Sequence, residues 1–174
     1  MKDKGYIQVY TGNGKGKTTA AFGLSLRAVG AGYDVFIGQF IKGMHYSELD
    51  TIKKYFKNKI KIEQFGRGCF IKNEPSEEDV KKARNGLKKI EKILKNNEFD
   101  IIILDEVNIA LYYNLFSIEE LIKTLELKNE NQEIILTGRY APEEIIEYAD
   151  LVTEMKDVKH YYQKGVQARE GIEK

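Results

Sequence analysis

The chain has no tryptophan, one cysteine, two prolines and two histidines among its 174 residues. A lone Cys69 excludes an internal disulfide and suits a reducing compartment. Two histidines, His45 and His160, cannot make a cluster of zinc-ligand spacing. Neither sign of charge is in excess. The 28 basic and 27 acidic residues leave a net charge of +1, so no global field draws the chain toward nucleic acid. No apolar run is long enough to span a bilayer, and Met1-Lys2-Asp3-Lys4 leads into no signal-peptide core. These absences point to a cytoplasmic protein with neither a membrane nor a nucleic acid as partner. The length suits one domain over residues 1–174 with a sizeable core.

Strand and helix patterns alternate along the whole chain. Strands fit near 6–10, 34–40, 60–65, 100–105, 132–137 and 150–154, and helices near 17–30, 47–57, 76–96, 117–127 and 142–148. Ile101-Ile102-Ile103-Leu104 is continuously apolar, as a central strand buried on both faces must be. Ser76 caps a helix whose first turn, Glu77-Glu78-Asp79, is acidic, and Pro142 stands at the start of another. The class is therefore α/β: a mostly parallel sheet of about six strands with helices on both faces, P-loop NTPase-like (RecA-like) in type. Two stretches, Lys42 to Ser47 and Gly66 to Pro75, fit neither pattern. Both follow strand ends, the edge where open parallel sheets carry ligands.

The P-loop reading comes from Thr11-Gly12-Asn13-Gly14-Lys15-Gly16-Lys17-Thr18-Thr19, set between an apolar strand and Ala20-Ala21-Phe22-Gly23-Leu24. Glycines let successive N–H groups converge on one anion, and the helix N-terminus adds its positive dipole end. Lys17 supplies a charge for the distal phosphates, and the Thr18 hydroxyl a ligand for Mg²⁺. The loop is one residue short. Thr11 stands where the first glycine belongs, and only Asn13, Gly14 and Lys15 separate Gly12 from Gly16. Leu104-Asp105-Glu106 ends the most apolar strand, where an acidic metal partner belongs. One carboxylate would bind metal and the other orient it, and the sequence leaves open which. Arg139, after another strand end, either reaches the phosphates or forms a surface ion pair. Arg27 reads by itself as an ion-pairing residue on a helix face.

Together these blocks resemble the P-loop-type ATP:corrinoid adenosyltransferases. So do Arg27-Ala28-Val29-Gly30, Gln39-Phe40-Ile41-Lys42-Gly43, Leu136-Thr137-Gly138-Arg139, Ala149 to Met155, Lys159-His160 and Gly171-Ile172-Glu173, which run in family order along nearly the whole chain. The resemblance implies transfer of the 5′-deoxyadenosyl group of ATP to the Co(I) centre of a reduced corrinoid, with release of triphosphate. ATP would lie reversed relative to ordinary P-loop proteins, which gives the short loop a purpose. It implies triphosphate contacts from Gly12, Asn13, Gly14, Lys15, Gly16, Lys17, Thr18 and Thr19, and a nucleotide role for Arg27. It makes Thr18 and Glu106 the first Mg²⁺ partners (or Mn²⁺ partners), with Asp105 in reserve, and Lys17, Thr18 and Glu106 the residues closest to the chemistry. Gln39, Phe40 and Lys42 would line the mouth where ribose and corrin meet, with Arg139 nearby. A homodimer and a reduced flavoprotein donor are implied as well. The aromatic segment that presses on the corrin in better-known members departs here. Phe70 comes one place late and Ile71 replaces a tryptophan, so Phe70 either serves that role, as Tyr161 or Tyr162 could, or packs under its loop. The competing reading of the same P-loop is an ATP- or GTP-dependent phosphotransferase or hydrolase, and a third is a nucleotide-binding carrier without turnover.

Overall fold

The computed structural model describes residues 3–68, 71 and 74–173. Six strands alternate with helices in the order β1 (Ile7–Thr11), α1 (Lys17–Gly30), β2 (Val35–Lys42), α2 (Ser47–Thr51), β3 (Ile60–Gly68), α3 (Glu77–Asn96), β4 (Ile101–Asp105), α4 (Val107–Tyr112), α5 (Ile118–Leu125), β5 (Glu133–Thr137), α6 (Glu143–Tyr148) and β6 (Leu151–Glu154). All strand pairs are parallel, and the sheet order is β3-β2-β4-β5-β1-β6. The α/β expectation holds, including the six strand positions. The expected helix at 47–57 is split, α2 giving way at Ile52–Phe56 to a wider π-type turn. A helix not expected from sequence, α4, follows β4 directly.

Alternation along the buried strands divides the core between the two faces of the sheet. Ile102, Leu104, Phe36, Phe40, Ile134 and Leu136 pack on one face with α3, α4 and α5; Ile101, Ile103, Val35, Ile37 and Ile135 pack on the other with α1. Helix α3 turns Ala83, Leu87, Ile90 and Leu94 inward at helical spacing. Its N-terminus is closed by a reciprocal capping box between Ser76 and Asp79, and α5 is closed likewise by Ser117 and Glu120.

The sheet order decides where the site can form. Strand β5 lies between the phosphate-loop strand β1 and the acidic strand β4, so the carboxyl ends of three neighbouring strands deliver Thr11, Thr137 and Asp105 to one edge. Backbone strain gathers at that edge. Ile41 near the end of β2, Glu106 after β4 and Tyr140 after β5 all have positive φ, at 64°, 59° and 60°. Non-glycine residues hold such angles only where their surroundings over-determine them, and they cluster at functional sites.

Candidate active site

The phosphate loop is built as an open anion nest. Gly12 takes φ 92° and Gly16 φ 125°. A side chain at Gly12 would also stand 2.5 Å from the Met155 carbonyl oxygen. The outer side of the loop is thus pressed onto the segment after β6, fixed by Gly14 N–H donating to that same carbonyl at 2.7 Å. Helix α1 begins at Lys17 with Gly16 at its cap position, no side-chain cap and no acidic residue in its first turn. The contrast with α3 and α5 is physical. Their first N–H groups are closed by side chains, whereas those of α1 are left for an anion.

Lys17 is almost fully buried, and its ammonium donates to the carbonyls of Gly12 and Gly14, both at 2.7 Å. Burial pulls this ammonium below its ordinary range, with Arg139 pulling the same way and Glu106 and Asp105 opposing. Lys15 points to the other side of the loop. Its ammonium donates to Glu173 at 2.9 Å and to the Tyr161 hydroxyl at 3.2 Å. Glu173 also accepts from the Tyr161 hydroxyl and from Arg169 at 3.1 Å, and these partners, Arg169 foremost, hold its carboxyl well below the usual range. Beside this cluster Gly14, Lys15, Lys156, Lys159, His160 and Tyr161 line a cleft of about 310 Å³.

Asp105 is the hub of the site. It is fully buried and accepts four hydrogen bonds. Oδ1 receives the hydroxyls of Thr18 at 2.9 Å and Thr137 at 2.8 Å; Oδ2 receives the Gln39 amide at 3.2 Å and the Lys42 ammonium at 2.8 Å. Thr137 also accepts the Glu106 N–H at 3.0 Å, which pins Glu106 in its left-handed conformation at the head of α4. Burial, and then the Asp105 charge, push the Glu106 carboxyl above its ordinary range despite Lys42, Lys17 and Arg139. The ionised carboxylate is therefore the form this fold disfavours, and stability is lost as pH rises through the raised value. Glu106→Gln is expected to raise the melting temperature at neutral pH, by about 2–4 °C for each kcal/mol recovered, which a thermal melt checks.

These donors suit Mg²⁺. The ion takes one or two carboxylates and keeps its remaining positions for phosphate oxygens and water. Thr18, Asp105 and Glu106 offer oxygen ligands only, and no group of three histidines, cysteines or carboxylates stands ready to cage a metal among the described residues. Asp105 has all its contacts to protein, while Glu106 makes no side-chain hydrogen bond to another described residue.

Several expected contacts are placed elsewhere. Phe40 is fully buried between Phe65 at 5.4 Å and Phe116 at 5.6 Å, centroid to centroid, so it offers no surface to a ligand and is a core residue. Gln39 is fully buried too. It orients Asp105 and accepts in turn from Gln64 at 3.1 Å, and of the three residues expected at the mouth only Lys42 reaches it. Arg27 lies on the last turn of α1, about 15 Å along the helix from Lys17, and so does not reach the phosphate loop of its own chain. Arg139 is exposed at the end of β5, and its charge is felt at both Lys17 and Glu106. Phe70 and Cys69 lie outside the described residues.

A family model, ATP:corrinoid adenosyltransferase BtuR/CobO/CobP, matches residues 3–173. The chain belongs to the ATP:corrinoid adenosyltransferase family. It is 38% identical to a corrinoid adenosyltransferase of Sinorhizobium sp over 98% of this chain and 81% of that one. It is 35% identical to the corrinoid adenosyltransferase of Escherichia coli K12, over 98% of this chain and 86% of the relative. With the corrinoid adenosyltransferase CobA of Salmonella typhimurium it shares 34% identity over 99% and 87%. Among solved structures the fold resembles the flagellar accessory protein FlaH of Methanocaldococcus jannaschii, with a TM-score of 0.62 and 15% identity over 87% of this chain and 71% of that one. It also resembles a KaiC-like protein of Pyrococcus horikoshii, with a TM-score of 0.53 and 23% identity over 87% and 73%. These last two likenesses concern the fold alone. Family membership gives the open nest at Gly12–Thr18 a chemical context, and it covers the elements that carry Asp105, Lys42 and Glu173.

Proposed function

We propose that this member of the ATP:corrinoid adenosyltransferases grips all three phosphates of ATP in the loop Gly12–Thr18 and so presents C5′ of the ribose, not phosphorus, for attack. The observation that carries the reading is the nest itself: an uncapped helix N-terminus, the Lys17 ammonium turned into the loop and the Thr18 hydroxyl, with the carboxylates of Asp105 and Glu106 close by. The electron pair of Co(I) in the reduced corrinoid forms the cobalt–carbon bond. The C5′–O bond breaks, its electrons leave with inorganic triphosphate, and cobalt rises formally to Co(III). No proton need move and no protein nucleophile is required.

The chain then has two tasks, alignment and stabilisation of a departing polyanion. Lys17 exchanges the carbonyls of Gly12 and Gly14 for phosphate oxygens, trading neutral acceptors for charged ones. Asn13, Gly16 and Thr19 add backbone donors; Gly14, whose N–H is held by Met155, and Lys15, paired with Glu173, would join them only by exchanging those partners for phosphate. Thr18, Glu106 and Asp105 would hold Mg²⁺, or Mn²⁺ in its place, with Asp105 also orienting Thr18. The bound ion would neutralise charge that builds on the leaving oxygens. Arg139 at the rim adds positive potential to the same place.

Family resemblance carries three further elements of the reading: a homodimer, a reduced flavoprotein such as flavodoxin as electron donor, and a cytoplasmic setting. Among the described residues, no helix is long and apolar enough to cross a membrane. The test mixes the protein with MgATP and chemically reduced cobalamin or cobinamide and follows the spectrum of the alkylated corrinoid. Product should form only when ATP, divalent cation and reduced corrinoid are all present. Steady formation of ADP or GDP and phosphate without corrinoid would instead identify a phosphotransferase or hydrolase.

A further inference from the structure

Asp105 is fully satisfied before any metal arrives, and one of its four donors differs in kind. Thr18, Thr137 and Gln39 are neutral, and two of them, Thr137 and Gln39, are completely buried. Lys42 is the charged one, and its side chain keeps 15 % exposure at the mouth of the site.

Regular strand geometry would not put Lys42 there. Val35, Ile37 and Gln39 alternate onto the α1 face of the sheet, where Ile101, Ile103 and Asp105 also point. Lys42 would continue the opposite set, Phe36 and Phe40. Strand β2 instead slips its register against β3 between Phe40, opposite Phe65, and Lys42, opposite Gly68. The irregularity centres on Ile41, a β-branched residue held at φ 64°. It is packed so closely on β3 that a Cβ at Gly66 would stand 2.3 Å from the Ile41 carbonyl. The extra residue lies on β3, where Gly66 and Arg67 stand against Ile41 alone; the left-handed turn at Ile41 departs from strand alternation, and Lys42 reaches the same carboxylate oxygen as Gln39. A β-branched residue held at positive φ against a close-packed glycine is strain that the surrounding structure must impose.

We propose that Lys42 is a resident counter-ion: its ammonium occupies the Oδ2 side of Asp105 in the nucleotide-free protein and gives way when divalent metal enters, so that metal loading moves the 42–46 loop at the mouth. The inference rests on reading Thr18, Asp105 and Glu106 as the metal centre. Its physical basis is repulsion between like charges, because an ammonium 2.8 Å from a carboxylate oxygen leaves no room for a second cation on that oxygen. The same ammonium already lies 5.1 Å from the Tyr46 ring centroid while it bonds Asp105, so leaving the carboxylate would change its contact with that ring. Tyr46 leads directly into α2, so the movement would be felt along the 42–46 loop.

The test is Mn²⁺ binding to the nucleotide-free protein, read by electron paramagnetic resonance of the free ion. Lys42→Met, which keeps the apolar stem and removes the charge, should bind Mn²⁺ at least about tenfold more tightly than wild type, the equivalent of ~1.4 kcal/mol. Lys42→Arg, which keeps the charge, should not show that gain. A residue with only a structural role would leave affinity unchanged or lower it when replaced. Equal or weaker binding by Lys42→Met, while both proteins take up Mn²⁺ with ATP, would overturn the counter-ion and leave the metal centre standing. Failure of wild type to take up Mn²⁺ even with ATP would remove the metal centre, and the counter-ion with it.

Discussion

Lys17→Ala should lower kcat/KM for adenosyl transfer by about 10²–10³-fold, as loss of one preorganised donor to a developing oxyanion does elsewhere. The side chain that does this work is already in place, held by the carbonyls of Gly12 and Gly14 inside the loop. Its burial makes each phosphate contact stronger than it would be in water. The fold should survive. The Gly12 carbonyl is part-buried and the Gly14 carbonyl buried, so leaving them without a partner is expected to cost ~1–3 kcal/mol, or about 2–12 °C in melting temperature. Lys17→Arg should not restore the rate, because a planar guanidinium does not fit a pocket shaped around a point charge. Activity with MgATP and reduced corrinoid, measured beside a thermal melt, separates a lost contact from a lost fold. Wild-type turnover by Lys17→Ala would take the cradle out of the mechanism.

Asp105→Ala should be the most destabilising single change at the site. It strands four donors at once, among them the ammonium of Lys42, and breaking a buried ion pair from one side costs ~3–5 kcal/mol. At 2–4 °C per kcal/mol the melting temperature should fall by roughly 6–20 °C. The double variant Asp105→Ala with Lys42→Met should recover part of that loss, because it removes the uncompensated charge. Independent sites would add instead. A melting temperature for Asp105→Ala equal to wild type would show that the four-donor hub carries no stability.

The sequence and the structure agree best where a local pattern has one physical meaning. The run Ile101–Leu104 can only be a strand buried on both faces, and Gly12–Thr18 between strand and helix can only be a nest. Ser76 before three acidic residues gives a capped helix, and Asp79 indeed closes the box. Strand ends were legible for the same reason, and with them the edge that bears the site.

Side-chain direction inside the buried strand β2 was not legible. Both faces of β2 are apolar, so its hydrophobicity does not show which residues face the ligand edge. Gln39 and Phe40 were expected at the mouth, yet one is turned onto Asp105 and the other into the core. Helix α4 escaped because Val107–Tyr112 continues the apolar run of β4, and the break between them is a single left-handed residue, Glu106. Nothing in its side chain announces that conformation. It is fixed by the Thr137 hydroxyl, which comes from a strand distant in sequence. Thr137 and Glu173 stood inside motif blocks without an assigned contact, and only the sheet order and the path of the C-terminal segment bring them to Asp105 and Lys15. The irregularity that sets Gly66 and Arg67 against Ile41 left no mark beyond nearby glycines, Gly43 in sequence and Gly66 across the sheet.

The phosphorus-containing product decides most directly whether carbon or phosphorus is the atom attacked. A ³¹P spectrum of the complete reaction, run in ¹⁸O-enriched water, should show inorganic triphosphate appearing in step with alkylated corrinoid and carrying no solvent oxygen. ADP with ¹⁸O-labelled phosphate, formed at the same rate as any corrinoid product, would contradict the account.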